Sequence, residues 1–165
     1  MQSLSKKLIV LLVMLLLSGC SFIKEKEADP NEKYEDMIEL INAYDTFNET
    51  SDYFEISGEK VRNADGNFSF YLTIDKPRVA MYDVEVVAIE KGVDYSKNMA
   101  ANVGVFEDST YTMIPNQTNP DKGYYAGIVI SGTTLNSECE LYVLVQWKSK
   151  DLLNTKREYI KINIQ

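Results

Sequence analysis

From Tyr53 to the carboxyl end, apolar side chains recur at every second position, in runs broken by turn residues about every ten positions. A period of two sends alternate side chains to opposite faces of an extended chain, so such runs bury one face only as strands of a sheet. Phe54 and Ile56 open a first strand that ends near Arg62, and Asp65-Gly66 within "NADGN" supplies the positive φ of a tight hairpin. Phe68, Phe70, Leu72 and Ile74 alternate with Asn67, Ser69, Tyr71 and Thr73, until Asp75-Lys76-Pro77 breaks the run. Tyr82, Val84, Val86 and Ala88 then face one way, with Asp83 and Glu85 opposite, and Glu90-Lys91-Gly92 turns the chain. Two shorter candidates lie around 102–107 and 109–114, followed by the longest loop, Pro115 to Gly123, and the run "YYAGIVIS". Cys139, Leu141, Val143, Val145 and Trp147 share a face of the clearest strand, and Ile160, Ile162 and Ile164 share a face of the last. The spacing predicts a mainly β domain over residues 53–165. It would be an antiparallel sandwich of about seven or eight strands, with no intervening helices to support a βαβ layout.

Ahead of the strands the period is 3.6. Tyr34, Met37, Ile38, Ile41 and Tyr44 form one helical stripe, Asp29 suits an N-cap, Pro30 the first helical position, and Glu32 completes a capping box. Residues 29–52 are therefore expected to hold one amphipathic N-terminal helix, Pro30 to Tyr44, whose stripe docks on its own domain or on a partner, and then a polar connection, "DTFNETSD".

The amino terminus reads as an address. Lys6 and Lys7 precede ten apolar residues, Leu8 to Leu17, and then Ser18-Gly19-Cys20. That run is half the length of about 20 residues needed to span a bilayer, and its basic start and small-residue end describe a secretory signal peptide. The tetrapeptide Leu17-Ser18-Gly19-Cys20 resembles the lipobox of bacterial lipoproteins. The resemblance implies that signal peptidase recognises Leu17, Ser18 and Gly19, that residues 1–19 are removed, and that Cys20 is lipidated and becomes the new amino terminus. Residues 20–28 would form a tether of about 30 Å when extended. More than one acyl chain makes a stable anchor, since each buried methylene contributes about 0.8 kcal/mol. The expected location is the extracytoplasmic face of a bacterial cell membrane, and richness in Lys, Asn, Ile and Tyr points to a Gram-positive host.

A second resemblance concerns the fold. "LNSECELYVLVQW" (135–147) is similar to the leucine-then-strand passage of immunoglobulin and fibronectin-III-like sandwiches, with Leu135 as the corner leucine. Leu141 stands where those families usually carry tyrosine, and their paired cysteines are absent. An immunoglobulin-like arrangement is the expectation that follows.

Charge and chemistry narrow the function. The leader holds two lysines and no acid, so residues 20–165 carry 15 basic and 25 acidic groups, a net of −10. Nucleic-acid binding rests on cations neutralising phosphates, so no nucleic acid is expected as a partner, whereas a cationic protein or peptide is compatible. The chain has no histidine, which removes histidine-based acid–base and nucleophilic catalysis and the commonest transition-metal ligand. With Cys20 lipidated, Cys139 has no disulfide partner and reads as a buried side chain. "SGEK" (57–60) matches a Ser-x-x-Lys pattern, but on a strand positions i and i+3 face opposite ways. "NADGN" lacks the glycine and glutamate places of a calcium loop.

These readings predict a lipid-anchored, non-enzymatic binding module that meets an envelope protein or peptide, without catalytic residues, metal or cofactor. A narrower form is an immunity or exclusion lipoprotein intercepting a cationic peptide or phage component. The alternative is a carbohydrate or cell-wall-binding module. Its candidate residues are Tyr111, Tyr124 and Tyr125 around the 115–123 loop and Tyr142 on the outward phase of its strand, because exposed aromatics stack on sugars and anchor partners.

Overall fold

Among the described residues, seven strands carry the alternation into two antiparallel sheets. A computed structural model describes residues 29–95 and 99–164; the predicted signal peptide, the tether and Cys20 lie outside the described residues. β1 (Glu55–Arg62), β2 (Phe68–Asp75) and β5 (Gly127–Thr134) form one sheet in the order β1-β2-β5. β4 (Ala101–Val103), β3 (Tyr82–Glu90), β6 (Cys139–Lys148) and β7 (Thr155–Ile164) form the other, in the order β4-β3-β6-β7. The β1–β2 hairpin turns through Asn63 to Asn67, where Gly66 takes the positive φ (91°) that the sequence requires there.

The main core lies between the sheets. Leu72 and Ile74 of β2, Val84, Val86 and Ala88 of β3, Ile130 of β5, and Cys139, Leu141, Val143, Val145 and Trp147 of β6 are buried together with Ile160 and Ile164 of β7. Each large side chain so buried contributes about 1.5–3 kcal/mol, and with no disulfide among the described residues that burial carries the fold.

A second apolar layer covers the outer face of the four-stranded sheet. The helix α1 (Pro30–Asn42) is capped by Asp29, whose carboxylate accepts from the Asn31 N–H at 2.9 Å. It buries Met37 and Ile41 against Val87, Ile89 and Leu144, so it docks on its own domain. Polar contacts fix its register: Lys33 pairs with Glu85, and the Tyr34 hydroxyl accepts from the Ala100 N–H at 2.7 Å. The helix ends at Asn42, two residues before the predicted limit, and Tyr44 leaves it to stack on Tyr159 with centroids 3.7 Å apart. The polar connection also delivers one apolar side chain, Phe47, edge-on to Tyr142 at 4.7 Å.

Two predicted strands are shortened. The 102–107 run reduces to β4 because Gly104 sits at φ 75°, where an added Cβ would lie 2.3 Å from the Val84 carbonyl oxygen. The 109–114 run forms isolated bridges, Met113 to Met81 and Thr112 to Tyr124, instead of a ladder. Its partner there is irregular, since β3 shifts register between Tyr82 and Glu85, with Asp83 at φ 48°.

Candidate functional site

The tyrosines proposed from the sequence divide between two places. Tyr111 and Tyr125 meet at 5.2 Å with rings tilted by 42°. Burial raises the Tyr111 hydroxyl above its ordinary pKa, and Glu107 and Tyr125 add to the rise. Tyr124 joins them through backbone: its N–H donates to Asn119 O at 3.0 Å, and the Tyr125 N–H donates to Thr112 O at 2.9 Å. The long 115–123 loop is thereby tied down, with a turn of 3₁₀ helix at Pro120–Lys122. All three rings are half-buried. Tyr142 is elsewhere, in the layer beside α1, half-buried with Phe47 on one side and the Lys91 ammonium 5.6 Å from its ring centroid. Ser57 and Lys60 do part to opposite faces: Ser57 is exposed, while the Lys60 ammonium donates inward to the carbonyls of Ser137 and Ile164.

A groove at the other end of β3 was not anticipated. The tyrosine loop bridges to Met81 at the start of that strand, and Glu90 at its end stands roughly 30 Å away by strand rise. There an open groove of about 1020 Å³ lies where the β4 and β5 edges approach each other, lined by Ala101 and Asn102 of β4 and Ser131 to Thr134 of β5. Glu90 contributes to the lining although only 7% of its surface is exposed. Its carboxylate accepts from the Asn136 side-chain amide, and its backbone N–H donates to the Tyr95 hydroxyl at 2.6 Å. No lysine or arginine among the described residues forms an ion pair with it. Burying a carboxylate without a cation is costly unless hydrogen bonds offset the lost water.

The surroundings register that charge. Burial raises the Tyr95 hydroxyl, with the Glu90 carboxylate adding to the rise against the stabilising Glu90 N–H. Behind the groove floor the Cys139 thiol is pushed up to about 11, by burial first and by Glu90 second. Such a thiol stays protonated, so Cys139 is the buried side chain expected of it and not a nucleophile. Around the mouth stand apolar side chains that a lone domain leaves in water. Met99 is 68% and Leu135 85% exposed, with Val93 and Tyr71 also exposed. Leu135, the corner leucine of the resemblance, stands exposed at the groove rim.

The site thus offers unpaired strand edge, an apolar rim and one buried carboxylate. The hydroxyls of Tyr95, Ser131 and Thr133 line the groove together with Glu90. No helix among the described residues is long and apolar enough to cross a membrane. No family model matches the chain, and no curated protein matches it. Among solved structures it is similar to Northeast Structural Genomics Consortium target SoR45, with TM-score 0.40 and 14% identity over 72% of this chain and 88% of that one.

Proposed function

We propose that this chain is a lipid-anchored, non-enzymatic interaction lipoprotein of a bacterial envelope, held at the extracytoplasmic face of the membrane through Cys20. The observation that carries the reading is Leu17-Ser18-Gly19-Cys20 placed directly after a ten-residue apolar run with Lys6 and Lys7 before it. The rest of the chain suits such a role. The described domain supplies its own core and carries a groove with an apolar rim.

We also read the sandwich as immunoglobulin-like. Its support is the strand order, in which the first, second and fifth strands face the fourth, third, sixth and seventh, with the chain crossing between sheets after β2, β4 and β5. The partner would be an envelope protein or peptide, and a net charge of −10 favours a cationic one. The immunity or exclusion form of this role predicts greater sensitivity to cationic peptides or phages when the chain is deleted. Sugar stacking on Tyr111, Tyr124 and Tyr125 has less behind it, because Tyr111 and Tyr125 spend part of their ring surface on each other.

The experiment is metabolic labelling of cells with an alkyne fatty acid, together with membrane fractionation. The wild-type chain is expected to take up label, lose its leader and sediment with membranes. Cys20→Ala is expected to lose label, processing and retention together, and a variant still cleaved and still membrane-bound would overturn the anchor.

A further inference from the structure

The turn between β6 and β7 puts leucine where glycine or asparagine is the usual choice. Leu152 takes φ 60°, in the left-handed region that a leucine enters only at a cost. It is 51% exposed, and Leu153 beside it is 83% exposed. The turn is nonetheless well built. The Ser149 N–H donates to Asn154 O at 2.9 Å, the Leu152 N–H to Ser149 O at 2.8 Å, and the Leu153 N–H to the Asp151 carboxylate at 3.1 Å. The Ser149 hydroxyl donates to the same carboxylate, and these bonds hold Asp151 below the usual carboxylate range. Two leucines are thus fixed outward at the tip of a hairpin. Residues 148–157 also carry Lys148, Lys150, Lys156 and Arg157 against the single acid Asp151, in a chain whose net charge is negative. Lys148 pairs with Asp83 at 3.0 Å, whereas Lys150, Lys156 and Arg157 are exposed.

We infer that the β6–β7 turn dips into the surface of the membrane that holds the anchor, with Leu152 and Leu153 at the acyl boundary and Lys150 and Lys156 on anionic lipid headgroups. Apolar side chains flanked by cations are the chemistry that holds a peripheral segment at an anionic bilayer surface. The turn also lies within reach of the anchor. α1 starts at Pro30, one turn before Lys33, which pairs with Glu85. Glu85 stands opposite Gln146, two residues from Lys148 at the base of the hairpin. A tether of about 30 Å before Asp29 lets anchor and tip occupy one bilayer. The acidic remainder of the domain does not forbid the contact, because charges more than about 8 Å from the surface are screened at physiological salt. It favours one orientation, tip down, and a second copy of the chain would oppose the same cations to one another. Lys148 pairs with Tyr82 at the start of β3, so the groove beside Glu90, at the other end of that strand, would face away from the membrane. This inference rests on the anchored reading and names the domain's own contact with the bilayer.

The test uses the full chain, purified in detergent and reconstituted into vesicles of phosphatidylcholine with phosphatidylglycerol. Leu153→Cys and Leu135→Cys, each labelled with an environment-sensitive fluorophore, report the turn and an exposed site at the groove end. The wild-type chain treated identically is the blank. The label at 153 is expected to shift to the blue and to be quenched severalfold more than the label at 135 by headgroup-level spin-labelled lipid. In the chain labelled at 153, Lys150→Glu with Lys156→Glu is expected to lose most of that quenching, as is exchanging phosphatidylglycerol for phosphatidylcholine. Leu152→Asn, which suits φ 60°, is expected to weaken the quenching while the urea midpoint holds or rises. A label at 153 that stays in water, or equal quenching at both sites, would overturn the inference. So would a shift that follows protein density and not lipid charge, which would assign the leucines to a second copy. A lower urea midpoint for Leu152→Asn would assign them to packing and overturn it too. Mass spectrometry of the reconstituted chain reports the lipid at Cys20 independently. A lipidated chain with its 153 label in water overturns the tip alone, and an unlipidated chain with that label in lipid overturns the anchor alone.

Discussion

Along the side where β1 meets β7, the sandwich is closed three ways. Gly58 leaves space that the Ile164 side chain fills, the Lys60 ammonium bonds carbonyls of Ser137 and Ile164, and the free edge of β7 is met by Asn48. Asn48 donates to Tyr159 O at 3.0 Å and accepts from the Lys161 N–H at 2.8 Å. Along the side where β4 meets β5 the counterparts are small, Ala101 opposite Gly132, and no backbone hydrogen bond reaches the free edge of β5 among the described residues. The two sheets meet on both sides, but the first is closed by large side chains and side-chain bonds and the second by small residues with a groove beside them.

The largest expected effect lies on the closed side. Ile164→Ala removes a side chain that is almost wholly buried against Gly58 and Leu72 and should cost about 2–5 kcal/mol in urea unfolding. Val129→Ala, on the exposed face of β5 with 57% of its surface in water, should stay within about 0.5 kcal/mol. Equal costs would erase the distinction between the two sides.

A pH effect probes the wall between the groove and the core. Cys139 ionises near 11 when folded, against an ordinary value of 9.0. Between those values the unfolded chain releases a proton that the folded chain keeps. Stability therefore falls as pH rises through the window, by about 2 kcal/mol at most. Urea unfolding of wild type and Cys139→Ala at about pH 8 and about pH 10.5 isolates that share, since the other titrating groups are common to both. A slope unchanged in the variant would place the thiol in contact with water.

Matched glycines give a smaller effect, one on each side. A Cβ at Gly58 would lie 2.9 Å from Ile164, which has nowhere to go, so Gly58→Ala should cost about 1 kcal/mol net of the roughly 0.5 kcal/mol gained from a stiffer unfolded chain. At Gly132 the Cβ would meet the tip of the Phe70 ring at 2.4 Å. Phe70 is a buried core ring and Ala101 Cβ stands 3.2 Å away on the other side, so Gly132→Ala should cost at least as much as Gly58→Ala.

Alternation made the strands and their inward faces legible, and the 3.6 period made α1 legible, because each depends on neighbours in sequence. The groove depends on neighbours in space. Glu90 read as a turn residue, yet Asn136, 46 positions away, is what makes its burial tolerable. Phe47 stood alone among polar residues, and only the outer face of the four-stranded sheet gives it company in Tyr142 and Tyr159. Tyr142 does lie on the outward phase of β6, but that face is covered beside α1. One signal was present in the sequence. β4 and β5, the strands that border the groove, are the two named strands without a charged residue, and an uncharged edge is one that charge does not protect from pairing.

The smallest expected change in stability is at the rim itself. Leu135→Asp and Met99→Asp alter side chains that are mostly in water, so each should shift unfolding by no more than about 0.5 kcal/mol. On the closed side Ile164→Ala should lower stability severalfold more. A rim substitution that unfolds the domain would mean Leu135 or Met99 holds the sandwich together. The open side would then be a packing surface, with stability as the reason for its apolar residues.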